Sequence, residues 1–99
     1  MDIRILQYFL AVAREESITK AAESLHMTQP PLSRQLKELE EELGKQLLIR
    51  GSKKITLTED GMLLRKRAEE MVELMEKTKA EISASDTNLS GEVSIGSGE

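Results

Sequence analysis

The chain has only two prolines, Pro30 and Pro31, and they stand side by side in a stretch otherwise rich in helix formers. Inside a helix such a pair would break it. The first helical turn tolerates both, because its N–H groups have no intrahelical partner and a φ of about −65° is already helical. A helix therefore starts just ahead of them, with Thr28 as the expected cap, its side-chain oxygen offered to the free backbone N–H groups of that turn.

From this start Leu32, Leu36, Leu39 and Leu43 follow in steps of four, three and four, one buried face. Gln29, Ser33, Arg34 and Lys37 come out on the opposite side, which is polar, basic and short of acids. Just upstream, Ser17 can cap a short helix that buries Ile18, Ala21, Ala22 and Leu25, and the two alanines let a second helix cross closely. His26 and Met27 interrupt the pattern, so residues 17 to 37 read as two helices joined by a tight turn. A helix that buries leucines and presents these polar groups near its N-terminus is equipped to enter a DNA major groove. Arg bonds a guanine edge bidentately, Gln an adenine edge, and Ser or Thr a phosphate. The competing reading is a solvated face in an ordinary helical bundle.

Residues 2 to 15 form a first helix, with Asp2 as cap and Ile3, Leu6, Phe9, Leu10 and Ala13 at helical spacing. Beyond the third helix, Glu38, Glu40, Glu41 and Glu42 would repel a phosphate backbone, so only the N-terminal half should approach DNA. Gly44 ends that helix. Two β-leaning runs, residues 46 to 50 and 55 to 57, flank Gly51-Ser52-Lys53-Lys54, a loop of hairpin length. This wing would put Arg50 at its base and Lys53 and Lys54 at its tip, within reach of a neighbouring backbone or minor groove. Lysines at turns also protect edge strands from aggregation, the plainer explanation.

The net charge of −4 argues against a nucleic-acid binder until it is divided along the chain. Residues 1 to 58 hold nine Lys or Arg against eight acids, and residues 59 to 99 hold five against ten. Within the first part, residues 45 to 54 carry Lys45, Arg50, Lys53 and Lys54 and no acid, a local phosphate-binding footprint.

Thr58, Glu59 and Asp60 open a long helix, a cap followed by two acids at the positive end of the dipole. Leu64, Ala68, Met71, Met75, Thr78 and Ile82 make a heptad seam along it. From residue 59 to about 84 it would run about 39 Å at roughly 1.5 Å per residue, too long for a three-helix core to cover, so the seam is expected to pair two copies. Folding back on its own domain, or pairing with a different protein, is the alternative. Residues 83 to 91 read as a linker, followed by a strand-like alternation through Ile95. The sequon at Asn88 reads as a chance match.

With no Cys and a single His, thiolate zinc sites and disulfides are excluded, and neither a catalytic triad nor a nucleotide-binding glycine loop appears. No enzyme activity and no cofactor are expected. Tyr8 and Phe9 are the only aromatics, too few for a base-stacking platform. No apolar run approaches membrane-spanning length and no leader is recognisable, so a soluble cytoplasmic protein is expected.

The pieces Leu6-x-Tyr8-Phe9-x-x-Val12-Ala13, Ser17-Ile18-Thr19-x-Ala21-Ala22-x-x-Leu25, Gln29-Pro30-Pro31-Leu32-Ser33-Arg34-Gln35-Leu36, Leu39-Glu40-x-x-Leu43-Gly44, Leu47-Leu48-x-Arg50 and Leu57-Thr58-x-x-Gly61 together resemble the N-terminal region of LysR-type transcriptional regulators, from Met1 to about Glu92. The resemblance implies a winged helix-turn-helix, a linker helix that pairs two chains, and an effector-binding domain like a periplasmic binding protein, of which only a stub is here. It places Gln29, Pro30, Ser33 and Arg34 against bases or backbone in the major groove, Thr28 against phosphate, and Arg50 and Lys53 at the minor groove or its phosphates. Two departures are Ile49, where the family often carries a polar residue, and lysines at the wing tip in place of arginine. The lysines keep phosphate attraction but weaken the case for bidentate reading.

The expected fold is therefore mainly α: a winged helix-turn-helix over residues 1–58, a linker and dimerisation helix over 59–84, and a linker with a domain stub over 85–99. Thr28, Gln29, Pro30, Pro31, Ser33, Arg34, Lys37, Arg50, Lys53 and Lys54 are the expected DNA-binding residues. The expected partners are double-stranded DNA and a second copy, with tetramers open to the full-length protein and a small-molecule effector only for the missing domain. A protein-interaction module built on the Glu-rich third helix and the seam is the rival.

Overall fold

The computed structural model describes residues 1–92, the last eight by backbone alone; of the strand-like alternation expected over residues 91 to 95, Gly91 and Glu92 belong to the last helix and the rest lies outside the described residues. Four helices and a two-stranded hairpin follow one another: α1 (Ile3–Glu15), α2 (Ile18–Ser24), α3 (Gln29–Leu43), β1 (Leu48–Arg50), β2 (Ile55–Leu57) and α4 (Glu59–Glu92).

The starts of the first two helices follow their caps. The Arg4 N–H donates to Asp2 Oδ1 at 2.7 Å, and the Lys20 N–H to Ser17 Oγ at 3.1 Å. The ends of α1 and α3 turn through left-handed backbone. Glu16 (φ 57°) closes α1, and Gly44 (φ 67°) closes α3 with the Gly44 and Lys45 N–H groups on the Glu41 and Glu40 carbonyls. His26, also at φ 57°, makes the tight turn between α2 and α3.

The apolar faces meet in one core: Leu6, Phe9 and Val12 of α1, Ile18, Ala21 and Ala22 of α2, Leu32, Leu36 and Leu39 of α3, then Leu47 and Leu48. Leu43, expected as the fourth leucine of that row, is 38 % exposed and lines an open groove with Met1, Leu47 and Leu63. The core also crosses the expected boundary at residue 58. Leu64 and Ala68, expected to face a partner chain, are buried in the protomer's own core, Ala68 completely. The heptad spacing could not distinguish these two surfaces, since a long helix presents one continuous apolar stripe to both.

The hairpin is antiparallel, with Leu48 opposite Leu57, Ile49 opposite Thr56 and Arg50 opposite Ile55. Gly51 donates to the Lys54 carbonyl at 3.1 Å, and a Cβ on Gly51 would stand 2.8 Å from that oxygen, so the turn requires glycine. The Ile55 N–H donates to the Glu16 carbonyl at 2.9 Å, docking the wing on the turn between α1 and α2.

α4 runs 34 residues to Glu92, about 51 Å at roughly 1.5 Å per residue, and absorbs the segment expected as a linker from residue 83. That segment is polar but holds no proline, and each residue added to an existing helix gains a hydrogen bond without a new nucleation cost.

Candidate nucleic-acid interface

Thr28 occupies the cap position of α3 with extended backbone (φ −84°, ψ 162°), yet its side chain makes no capping bond, contrary to expectation. The reason lies in the two prolines. A cap side chain accepts from the second or third N–H of the helix, and in α3 those residues are Pro30 and Pro31, which have none. The prolines that fix where the helix starts also leave the Thr28 hydroxyl without a local donor.

Along α3, Gln29, Pro30, Arg34 and Lys37 are exposed and Pro31 and Ser33 half-buried, on the side away from Leu32, Leu36 and Leu39. The front of the helix is therefore as expected from its periodicity. Neither Arg34 nor Lys37 forms an ion pair among the described residues, so both guanidinium and ammonium are available to a ligand.

The wing completes the surface. A shallow groove is lined by Ser17 and Thr19 at the start of α2, Gln29 at the start of α3, and Arg50, Lys53 and Lys54 of the wing. Arg50 and Lys53 are exposed and, among the described residues, unpaired; Lys54 lies 3.8 Å from a Glu16 carboxylate oxygen and is partly neutralised. Thr19 escaped the sequence reading: its hydroxyl donates to Gln29 Oε1 at 3.5 Å, so it borders the polar face. Its polar side chain next to the apolar Ile18, within the Ser17-Ile18-Thr19 piece, was the available signal.

On α4 the remaining seam residues behave unequally. Met71 and Ile82 are exposed and Met75 is half-buried. Thr78 is exposed, but its hydroxyl donates to its own helix at the Leu74 carbonyl, 2.7 Å. Leu63 and Leu74, 56 % and 63 % exposed, extend the bare apolar edge, and Leu63 lines one groove with Leu64 and Met71. Among the described residues no helix is long and apolar enough to cross a membrane, and no group of acidic or His side chains is placed to hold a metal ion.

Three short helices, a two-stranded hairpin beside the third, and unpaired cations on both define a winged helix-turn-helix. Residues 3–62 match the family of bacterial regulatory helix-turn-helix proteins of the lysR type, and the chain belongs to that family. It is 48 % identical over 98 residues to the transcriptional regulator BsdA of Bacillus subtilis, covering 98 % of this chain and 34 % of BsdA. It is 57 % identical over 61 residues to BenM of Acinetobacter baylyi, covering 62 % of this chain and 20 % of BenM. The chain thus spans about a third of BsdA and a fifth of BenM. Among solved structures, the CbnR DNA-binding domain in complex with DNA superposes with a TM-score of 0.82 at 37 % identity, covering 87 % of this chain and 99 % of that one. The BenM DNA-binding domain on its benA site gives 0.76 at 43 %, covering 93 % and 100 %.

Proposed function

We propose that this chain is the DNA-reading and self-pairing part of a cytoplasmic transcription regulator, binding a specific double-stranded site as a homodimer. The observation that carries this reading is the row Gln29, Ser33, Arg34 and Lys37 on the open side of a leucine-backed helix, continued by Arg50 and Lys53 across a shared groove. The front of α3 is the size and chemistry of a major-groove probe, and the wing carries charge to the adjacent backbone or minor groove. The CbnR and BenM DNA-binding domains, similar to this chain over most of its length and solved in complex with DNA, support duplex binding by this fold.

Duplexes selected from a random pool and measured by fluorescence anisotropy test the reading. Arg34→Ala is expected to weaken the best site by about 1–3 kcal/mol and relax preference at one position, whereas Lys53→Ala weakens all sequences alike. Unchanged affinity in Arg34→Ala would mean that the wrong side of α3 has been assigned to the groove.

Pairing would use the exposed apolar residues of α4, Leu63, Met71, Leu74 and Ile82, rather than the buried Leu64 and Ala68. Leu74→Lys is expected to leave folding intact, since the side chain is already exposed, and to shift sedimentation from dimer to monomer, with weaker DNA binding. A parent chain that sediments as a monomer at micromolar concentration sinks the dimer.

A further inference from the structure

Four acids crowd the distal half of α3, and one of them is turned to a different use. Glu38, Glu41 and Glu42 are exposed, but Glu40 is half-buried. Its Oε2 accepts the Leu47 N–H at 2.7 Å and the Leu48 N–H at 3.0 Å. Leu48 is the first residue of β1, and among the described residues no other side chain of α3 bonds to the wing or to the segment leading into it.

The same short segment is held from its other side. Thr58, just before α4, donates its N–H to the Leu47 carbonyl at 3.1 Å and its hydroxyl to the Gln46 carbonyl at 2.7 Å. The Gln46 side-chain amide donates to the Leu48 carbonyl at 2.9 Å. Residues 46 to 48 are therefore a joint at which α3, the wing and α4 meet, and Glu40 is the contribution of α3. An ionised carboxylate suits it, because it accepts without donating and its bonds to N–H groups are charge-assisted.

We infer that Glu40 is a positioning residue for DNA recognition, resting on the reading just proposed. It never meets the nucleic acid. By holding the first peptide groups of the wing, it sets where Arg50 and Lys53 stand relative to Gln29 and Arg34. The side chains of Leu47 and Leu48 are in the core and keep the wing attached without it. Without the carboxylate, however, two backbone donors lose their acceptor and must turn toward water, and the strand leading to Arg50 turns with them.

A double-mutant cycle tests this on the 99-residue chain, reading affinity for the selected duplex across a salt series together with the fraction folded. Glu40→Ala is expected to weaken binding about tenfold and to lower the slope of log Kd against log salt by about 0.9 for each phosphate that the wing no longer neutralises, with base preference under α3 retained. Glu40→Gln keeps an acceptor oxygen in place and should recover most of the affinity. In a background already carrying Arg50→Ala and Lys53→Ala, Glu40→Ala should have no further effect, because the groups it positions are gone. Full additivity in that background, or a weakening that merely follows the fraction folded with the salt slope unchanged, overturns the inference while leaving DNA reading intact. A parent chain that binds no duplex overturns both.

Discussion

A threonine stands immediately before both α3 and α4, and the two threonines have opposite fates. Thr58 Oγ1 accepts the Gly61 N–H at 3.0 Å and donates to the Gln46 carbonyl, while Glu59 and Asp60 fill the first turn with charge suited to the helix dipole. Thr28 has Pro31 where Thr58 has Gly61, so it has no N–H to cap, and no acid stands in its first turn. Gly61 is buried; Gln29 and Pro30 lie open. One start is closed around its own chain and the other is left for something else to satisfy. The residue three places on decides which, so a threonine at a helix start is not by itself a stabilising feature.

The difference can be broken hardest at Gly61. A Cβ there would lie 2.2 Å from the Leu47 carbonyl oxygen and 3.2 Å from the Leu57 Cβ, and α4 and the base of the wing would have to separate. Gly61→Ala is expected to lower unfolding free energy by at least about 2 kcal/mol in a urea titration, despite alanine's better helix propensity. A neutral or stabilising outcome would show that the joint is loose. The two threonines sharpen the comparison with smaller effects. Thr58→Ala should cost about 1 kcal/mol in the same titration, whereas Thr28→Ala should stay within about 0.5 kcal/mol of the parent and yet weaken duplex binding. Equal stability losses in the two variants would contradict the account of the prolines.

Most of this fold was legible in the sequence, because it is written in local patterns. The apolar steps of α1, α2 and α3, the caps at Asp2 and Ser17, and the hairpin around Gly51 each follow from a few neighbouring residues. What was not legible depends on where elements lie relative to one another. Leu64 and Ala68 carry the spacing of a partner-facing seam, and only the packing of α4 on α1 decides that they are internal. Glu40 reads as one more acid in a run of them until Leu47 and Leu48 come within reach of it. Thr28 is the instructive failure, since both facts needed were in the sequence. A proline pair in the first turn and a side-chain cap on that same turn exclude each other. For the proposed site, helical periodicity was sufficient to place Gln29, Arg34 and Lys37 on an exposed face of α3, but Thr19 borders that face only through the crossing of α2 and α3.

The backbone bond from Ile55 to Glu16 carries a last consequence. It fastens the hairpin to the corner between α1 and α2, as Glu40 fastens it to α3, so if α3 and the wing are probe and prong as proposed, the span between them is tied at two points before any encounter. Such a caliper would adapt little. On the reading proposed above, the duplex must do the adapting, and its local stiffness then becomes part of what is recognised. Base steps that no side chain touches would discriminate between sites according to how readily they let the grooves open or narrow to that fixed gauge.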